Sequence, residues 1–362
     1  MSGAPAISPY SPYMEWAKTH SGARFNLASS GIEAFPLAEL GPFEPLEISG
    51  PSGYGYPPLQ QALARKAGVD PDWVVHATGA SLANLLALAA TTQPGDEVLI
   101  EEPTYALLPD AARWLRLELR RFPRRAENGF RVDPRDVLAA LSPRTRLIVM
   151  TNLHNPSSAL VPRETLSEIG AAARSLGARV LVDEVYLEAL AVLGRPVTSA
   201  AQLGAEFVVT SSLTKAYGLS GLRCGWAIAE PDLARRMWRL DDLFGVIPAH
   251  PAERLSVVAL ARLERPAARA RRILEANAAR FGAFLAARPE LECAPVGGGM
   301  IAFPRLRDGD VEGLCERLRR DETTVVPGRF FGDPRRFRLA ICCSPETLGS
   351  GLERLRLSLD AA

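Results

Sequence analysis

The chain has 362 residues, 47% of them hydrophobic, with a formal charge of +1 and a pI near 7.7. That length and hydrophobic share imply a globular protein of roughly two domains with a sizeable core. The near-neutral balance supplies no electrostatic pull toward nucleic acid or an anionic membrane, so a small molecule is the expected ligand.

The first fifty residues are rich in Pro, Ser and Gly and read as an arm that packs on something else, with one short helix over 12–20. Helices are predicted over 57–67, where proline opens the run, and over 81–92. Apolar runs at 97–100, 115–122, 145–151, 178–183 and 206–211 then read as strands, with helices near 104–114, 134–141 and 163–176 between several of them. That alternation implies crossover connections and a mostly parallel sheet. The run at 225–230 is a further strand, free to run the other way. A long helix is expected over 251–287 with a kink at Pro266. From 291 onward short strands mix with helices at 310–320 and 345–359, which reads as a smaller α+β domain.

Five cysteines, Cys224, Cys293, Cys315, Cys342 and Cys343, fit neither a zinc ligand set nor a small disulfide framework and read as reduced thiols in a cytoplasmic protein. The first thirty residues have no basic start followed by an apolar segment. The longest apolar stretch, near 82–90, is interrupted by Asn84 and is too short to span a bilayer. No membrane partner is expected.

Only three lysines, Lys18, Lys66 and Lys215, stand against thirty-nine arginines. Lys215 lies in SSLTKAYGLSGLRCGW, directly after an apolar strand, so it is not there as generic positive charge. A desolvated lysine can lose its proton and attack a carbonyl, which arginine cannot do. In an open parallel sheet ligands bind beyond the carboxyl ends of the strands. Three polar clusters sit at such ends: NLHNPSS at 152–158, DEVY at 183–186 and SSLTK at 211–215.

Taken singly these clusters have ordinary readings. Asn155-Pro156 starts many turns, and a strand ending in Asp-Glu resembles the magnesium strand of a nucleotide triphosphatase. That second reading fails because no lysine sits in a Gly-x-x-x-x-Gly-Lys-Ser/Thr loop. Together, a lysine, an aspartate, an asparagine and a tyrosine at one edge suit a flat heteroaromatic aldehyde. A phosphate on the same ligand would use hydroxyls, Arg223 and the helix start after Thr78-Gly79-Ala80-Ser81.

From about 50 to 340 the sequence resembles the class I/II pyridoxal 5'-phosphate aminotransferases of fold type I. The resemblance rests on Gly-Ala-Ser before a helix, Glu-x-Pro-Thr-Tyr (101–105), Asn-x-x-Asn-Pro (152–156), Asp-Glu-x-Tyr (183–186), the lysine stretch with Gly218, Gly221, Arg223 and Gly225, and Pro-Gly-x-x-Phe-Gly followed by Phe-Arg-Leu (327–339). It implies an α/β fold with a mostly parallel seven-stranded sheet between helices and a smaller α+β domain. The divisions would be 1–48 for the arm and part of the small domain, 49–250 for the large cofactor domain, and 251–362 for an interdomain helix and the rest of the small domain.

By the same resemblance Lys215 forms the internal aldimine with pyridoxal phosphate, and Asp183 keeps the pyridine nitrogen protonated. Asn155 and Tyr186 contact the ring hydroxyl, and Tyr105 stacks on the ring. Gly79, Ala80, Ser81, Ser212 and Arg223 hold the phosphate. Arg338 clamps the substrate α-carboxylate, with Asn155 and Gly31 alongside. No metal is implied. The reaction moves an amino group between an L-amino acid and a 2-oxo acid, and other enzymes of the fold, namely C–S lyases, decarboxylases and cyclising synthases, share the same cup. A homodimer with shared active sites is implied, in which a tyrosine reaches the neighbouring subunit's phosphate. Counting back from Gly55 lands on Gly50, which leaves Tyr54, or alternatively Tyr56, for that task. Ser158 stands where the family's asparagine turn has glycine. His154 reads as a solvent-edge residue, Tyr217, Trp226 and Phe244 as packing residues, and the Cys342-Cys343 pair as core.

Overall fold

The structure is a computed structural model and describes residues 10–361. Its centre is a seven-stranded sheet made of β1 (Val74–Thr78), β2 (Glu97–Glu102), β3 (Glu118–Pro123), β4 (Thr145–Thr151), β5 (Arg179–Asp183), β6 (Phe207–Ser212) and β7 (Cys224–Ile228). The strand order is β1-β7-β6-β5-β4-β2-β3. Strands β2 to β6 pair in parallel, while β7 pairs antiparallel with both β6 and β1. Strand β7 therefore runs against the other six, as the sequence allowed.

The seventh strand, β1, is the one that chain-order pattern reading overlooked. Its run of five residues, VVHAT, carries a histidine and leads straight into glycine, so it has little periodicity of its own. Pairing with β7 along its whole length turns it into a strand. Strand β3 starts at Glu118, three residues later than predicted, because the chain turns at Arg116 with φ 61°.

Near-continuous apolar runs are what a sheet buried on both faces requires. Val98, Ile100, Leu147, Val149, Leu181 and Val208 point to one face, against Leu86, Ala87, Leu233 and Met237 of two helices, Gly79–Thr91 and Pro231–Asp241. Leu99, Ile148, Val180, Val182 and Val209 point to the other, where Leu166 and Ile169 of the Arg163–Ser175 helix pack.

The single kinked helix expected over 251–287 is two helices, His250–Ala261 and Glu264–Ala286. The break falls at Arg262, ahead of the proline. Pro266 occupies the first turn of the second helix, where its missing N–H costs nothing because that donor has no intrahelical partner anyway.

A separate core gathers Phe281, Leu291, Leu314, Leu339 and Leu355 around short strands. Leu27 of the arm belongs to it, and Phe25–Asn26 pairs in parallel with Thr323–Thr324. The arm helix Pro12–Thr19, capped by Ser11, lines a cavity through Tyr13, Met14, Ala17 and Lys18.

Candidate active site

Strands β4, β5 and β6 end at Thr151, Asp183 and Ser212. The helix Gly79–Thr91 begins at the same edge, since Thr78 pairs with Cys224 at the start of the antiparallel β7. A cavity of about 430 Å³ opens there, lined by Ala80, Ser81, Tyr105, Asn155, Asp183, Tyr186, Ser212, Lys215 and Arg223 among others. Nine predicted site residues, scattered over more than 140 positions, thus share one wall.

Lys215 donates from Nζ to Ser30 Oγ at 3.1 Å. Burial, and next the guanidinium of Arg338, lower its amine from 10.5 to about 8. Gly31 abuts the lysine stem: a Cβ there would stand 3.4 Å from Lys215 Cδ, and Ile32 N–H donates to the Lys215 carbonyl at 2.8 Å. The arm residues that touch Arg338 are Tyr13 and Ala28, whose carbonyl accepts from Nη2 at 3.2 Å.

Asp183 is buried, and each of its oxygens accepts one hydrogen bond: Oδ1 from Val185 N–H at 3.0 Å and Oδ2 from Asn84 Nδ2 at 2.7 Å. Burial pushes its carboxyl up, and these two donors and the charge of Lys215 oppose that shift. The Tyr186 hydroxyl is buried beside Ser30 and makes no well-formed hydrogen bond.

Arg223 takes a left-handed φ of 49° and donates to the Thr78 carbonyl at 3.3 Å. Glycine suits position 79, where φ is 80° and a Cβ would push the end of the Arg223 side chain away from the helix start. Glycine is needed at 225, where a Cβ would lie 2.2 Å from the Gly79 carbonyl carbon. The Gly79 N–H is spent on the Arg223 carbonyl at 2.8 Å. The next amides of the helix start remain for an anion.

Arg338 is 1% exposed and forms no ion pair among the described residues. It donates to neutral acceptors, Asn155 Oδ1 at 3.0 Å and the Tyr13 hydroxyl at 2.8 Å, and its Nε has no partner. A buried cation without a counter-ion is costly unless an anion arrives, and a carboxylate would match its fork.

Tyr54 is not on this cavity wall; it is 58% exposed and donates to Asp242 Oδ2 at 2.9 Å. Tyr56 packs edge-on against His250 at 5.1 Å. His154, expected at a solvent edge, is fully buried. Its Nε2 donates to the Pro103 carbonyl at 2.9 Å and its Nδ1 accepts from Ser157 Oγ at 2.6 Å. Burial and the nearby Arg124 hold its pKa well below the usual range, so it is a neutral spacer. Ser158 keeps the left-handed turn with φ 64°, and its hydroxyl donates to the Ile301 carbonyl at 2.7 Å. Tyr217 and Trp226 are buried, whereas Phe244 is exposed.

Sequence reading missed Ser30, Tyr13 and Asn84. Only Asn84 left a signal, as a lone amide inside an apolar helix.

Comparison with known proteins decides the family. The model for aminotransferase class I and II matches residues 36–355. The chain belongs to that family. Over 97% of its length, and 94% of the relative's, it is 34% identical to capreomycidine synthase of Streptomyces vinaceus. A PLP-dependent aminotransferase from Streptococcus suis superposes with a TM-score of 0.89 at 26% identity, covering 98% of both chains. The PLP-dependent cyclase OrfR gives 0.85 at 25% identity over 100% of both. The fold is fold type I, the chain is an enzyme, and pyridoxal phosphate is its cofactor.

The residues present fit that group. The positive-φ turn at Gly79 beside Arg223, the buried hydroxyl of Tyr186 and an aspartate held by two donors match a phosphate, a ring hydroxyl and a pyridinium N–H. Among the described residues no helix is long and apolar enough to cross a membrane.

Proposed function

We propose that the protein is an aminotransferase that moves an amino group between an L-amino acid and a 2-oxo acid in two half-reactions, with ping-pong kinetics. The observation that carries this reading is Arg338, a buried guanidinium without a counter-ion, bonded to Asn155 on the wall that also holds Lys215. It suits an α-carboxylate.

When bound, pyridoxal phosphate supplies an aldehyde that condenses with amines and a ring that takes up the electron pair left at the α-carbon. The side chains do the rest. Lys215 is the attachment point, and once freed its Nζ takes the α-proton and returns it elsewhere. With its amine depressed to about 8, little free energy is needed to present it neutral. Asp183 holds the ring nitrogen protonated, Asn155 and Tyr186 hydrogen-bond the ring hydroxyl, and Tyr105 stacks on the ring. Ala80, Ser81, Ser212 and Arg223 bind the phosphate, with Gly79, whose own N–H is taken by the Arg223 carbonyl, shaping the turn beside it. Arg338 and Asn155 orient the substrate carboxylate, with Gly31 of the arm beside them.

The proposal includes a homodimer in which Tyr54 serves the partner's phosphate, supported by its 58% exposure away from its own cavity. It also includes a cytoplasmic setting, supported by five free cysteines. The large domain would span 49–250 and the small one 251–362 with the arm 1–48, supported by the separate core that unites Leu27 with Leu355.

The test is a half-reaction. Holoenzyme mixed with single amino acids and no oxo acid should convert its cofactor to the aminated form and release one oxo acid per site. If no amino acid in a broad panel changes the cofactor spectrum, transamination is wrong. A second reading, a cyclising synthase, is favoured by the full-length likeness to capreomycidine synthase. Its signature would be a product that keeps the substrate nitrogen while the cofactor ends unchanged.

A further inference from the structure

The helix Gly79–Thr91 presses an apolar face on the sheet, with Ala83, Leu86, Ala87 and Leu88 all fully buried. Asn84 sits among them at 5% exposure. A buried primary amide is costly unless its groups are bonded, so its retention needs a cause.

Its bonds form a chain of three side chains. Asn84 Nδ2 donates to Asp183 Oδ2 at 2.7 Å, and its Oδ1 accepts from Thr210 Oγ1 at 2.5 Å. Thr210 and Asp183 are register partners on β6 and β5, so the amide spans two neighbouring strands from above. The direction of each bond follows from the others. A carboxylate can only accept, so the amide must turn its NH₂ to Asp183, and its oxygen then faces a hydroxyl free to donate. Thr210, fully buried, has no competing partner to draw that hydroxyl away.

We propose that Asn84 is a positioning residue, oriented by Thr210, that holds Asp183 ionised and aimed at the cofactor ring nitrogen. This rests on the reading of Asp183 as the ring-nitrogen partner. With Val185 N–H on one oxygen and Asn84 on the other, the carboxylate cannot rotate without breaking a bond. Protonating it would spoil one of the two. The titratable and charged groups facing Asp183 are Lys215 after β6, Glu184 next in the chain and Tyr105 after β2. Of these only Lys215 favours the ionised form, so losing the Asn84 donor leaves burial opposed by Val185 N–H and Lys215 alone.

The test compares full-length holoenzymes: wild type, Asp183→Asn, Asn84→Leu and Thr210→Val. For each, the amino-acid half-reaction is followed against pH, the bound cofactor's absorption is titrated, the affinity of the apoprotein for pyridoxal phosphate is measured, and the melting temperature is recorded. Asn84→Leu is close in shape but has no donor. It should move the acid limb of the half-reaction and the cofactor titration upward by about one pH unit and slow the neutral-pH rate about tenfold, one unit being tenfold in an equilibrium. Thr210→Val should shift both in the same direction by less. A merely structural role would lower the melting temperature and leave both titrations in place. If Asp183→Asn cripples the half-reaction while Asn84→Leu and Thr210→Val keep the wild-type acid limb and spectrum, the proposal is overturned. If Asp183→Asn itself changes nothing, the reading of Asp183 fails, which is a separate result. Should Asn84→Leu not fold, Thr210→Val decides by the same acid limb.

Discussion

Arg124 and Arg338 head the fully buried side chains of this protein, yet their surroundings could hardly differ more. Arg124 meets Glu101 at 2.7 Å, and donates to the carbonyls of Phe130 at 2.7 Å and Thr151 at 3.2 Å. Glu101 in turn accepts from Thr151 N–H at 2.8 Å and Thr151 Oγ1 at 2.6 Å. That pair is closed on itself and braces the ends of β2 and β4. Arg338 has neutral acceptors, the faces of Phe331 at 4.9 Å and Tyr13 at 5.7 Å, and an idle Nε. One cation is neutralised by the fold; the other has no counter-ion among the described residues, which is what the proposed carboxylate clamp requires. A buried charge left without its partner is the mark of the site, and a buried charge with a full set of partners is the mark of the scaffold.

The largest effect expected on the open side is that of Lys215→Ala. The half-reaction should fall by about 10⁴-fold or more. The borohydride-trapped cofactor adduct should vanish, while cofactor still binds through Arg223 and the helix start. An adduct surviving in the variant would remove Lys215 from its role. On the closed side Arg124→Leu leaves Glu101 buried and unpaired and should cost about 3–5 kcal/mol of stability in denaturant unfolding. Adding Glu101→Leu should recover much of that. If Arg124→Leu is as stable as wild type, the two arginines are not the opposites described.

Arg338→Leu should do the reverse, lowering kcat/KM for amino acids by about 10²- to 10³-fold through loss of a buried charge pair. Its melting temperature should stay level or rise, since it removes an uncompensated charge. A variant that unfolds with its kinetics intact would make Arg338 a scaffold residue.

The smallest effect concerns pH. In the cofactor-free protein burial and the Arg338 charge depress Lys215 to about 8, so the ammonium is the disfavoured form and the reactive neutral amine prevails above that pH. The rate of cofactor capture should therefore rise with pH to a midpoint near 8 and then level off. Arg338→Leu removes one positive neighbour and should move the midpoint upward. A wild-type midpoint near the ordinary lysine value of about 10.4 would contradict it.

Lys215, Asp183, Asn155 and Arg223 were legible because each lies just beyond a strand that period and apolarity announce, or beside one. Ser30 and Tyr13 were not, because their roles depend on where an irregular arm is laid down. His154 misled for a similar reason. Its neighbours in sequence are polar turn residues, but Phe130 packs against its ring at 5.9 Å from another part of the chain.

By itself, then, the sequence determined the alternation of strands and helices, the edge where the polar clusters gather and the lysine that stands there. All three follow from local apolarity and from motif spacing along one strand or loop. Tertiary structure alone decided that β1 is a strand, that the long helix breaks at Arg262, which buried arginine has a counter-ion, and that Asn84 joins Thr210 to Asp183. The pairing of β1, the counter-ion of Arg124 and the Asn84 bridge each depend on what a distant segment brings within about 3 Å, the range at which hydrogen bonds act, and no local pattern encodes that distance.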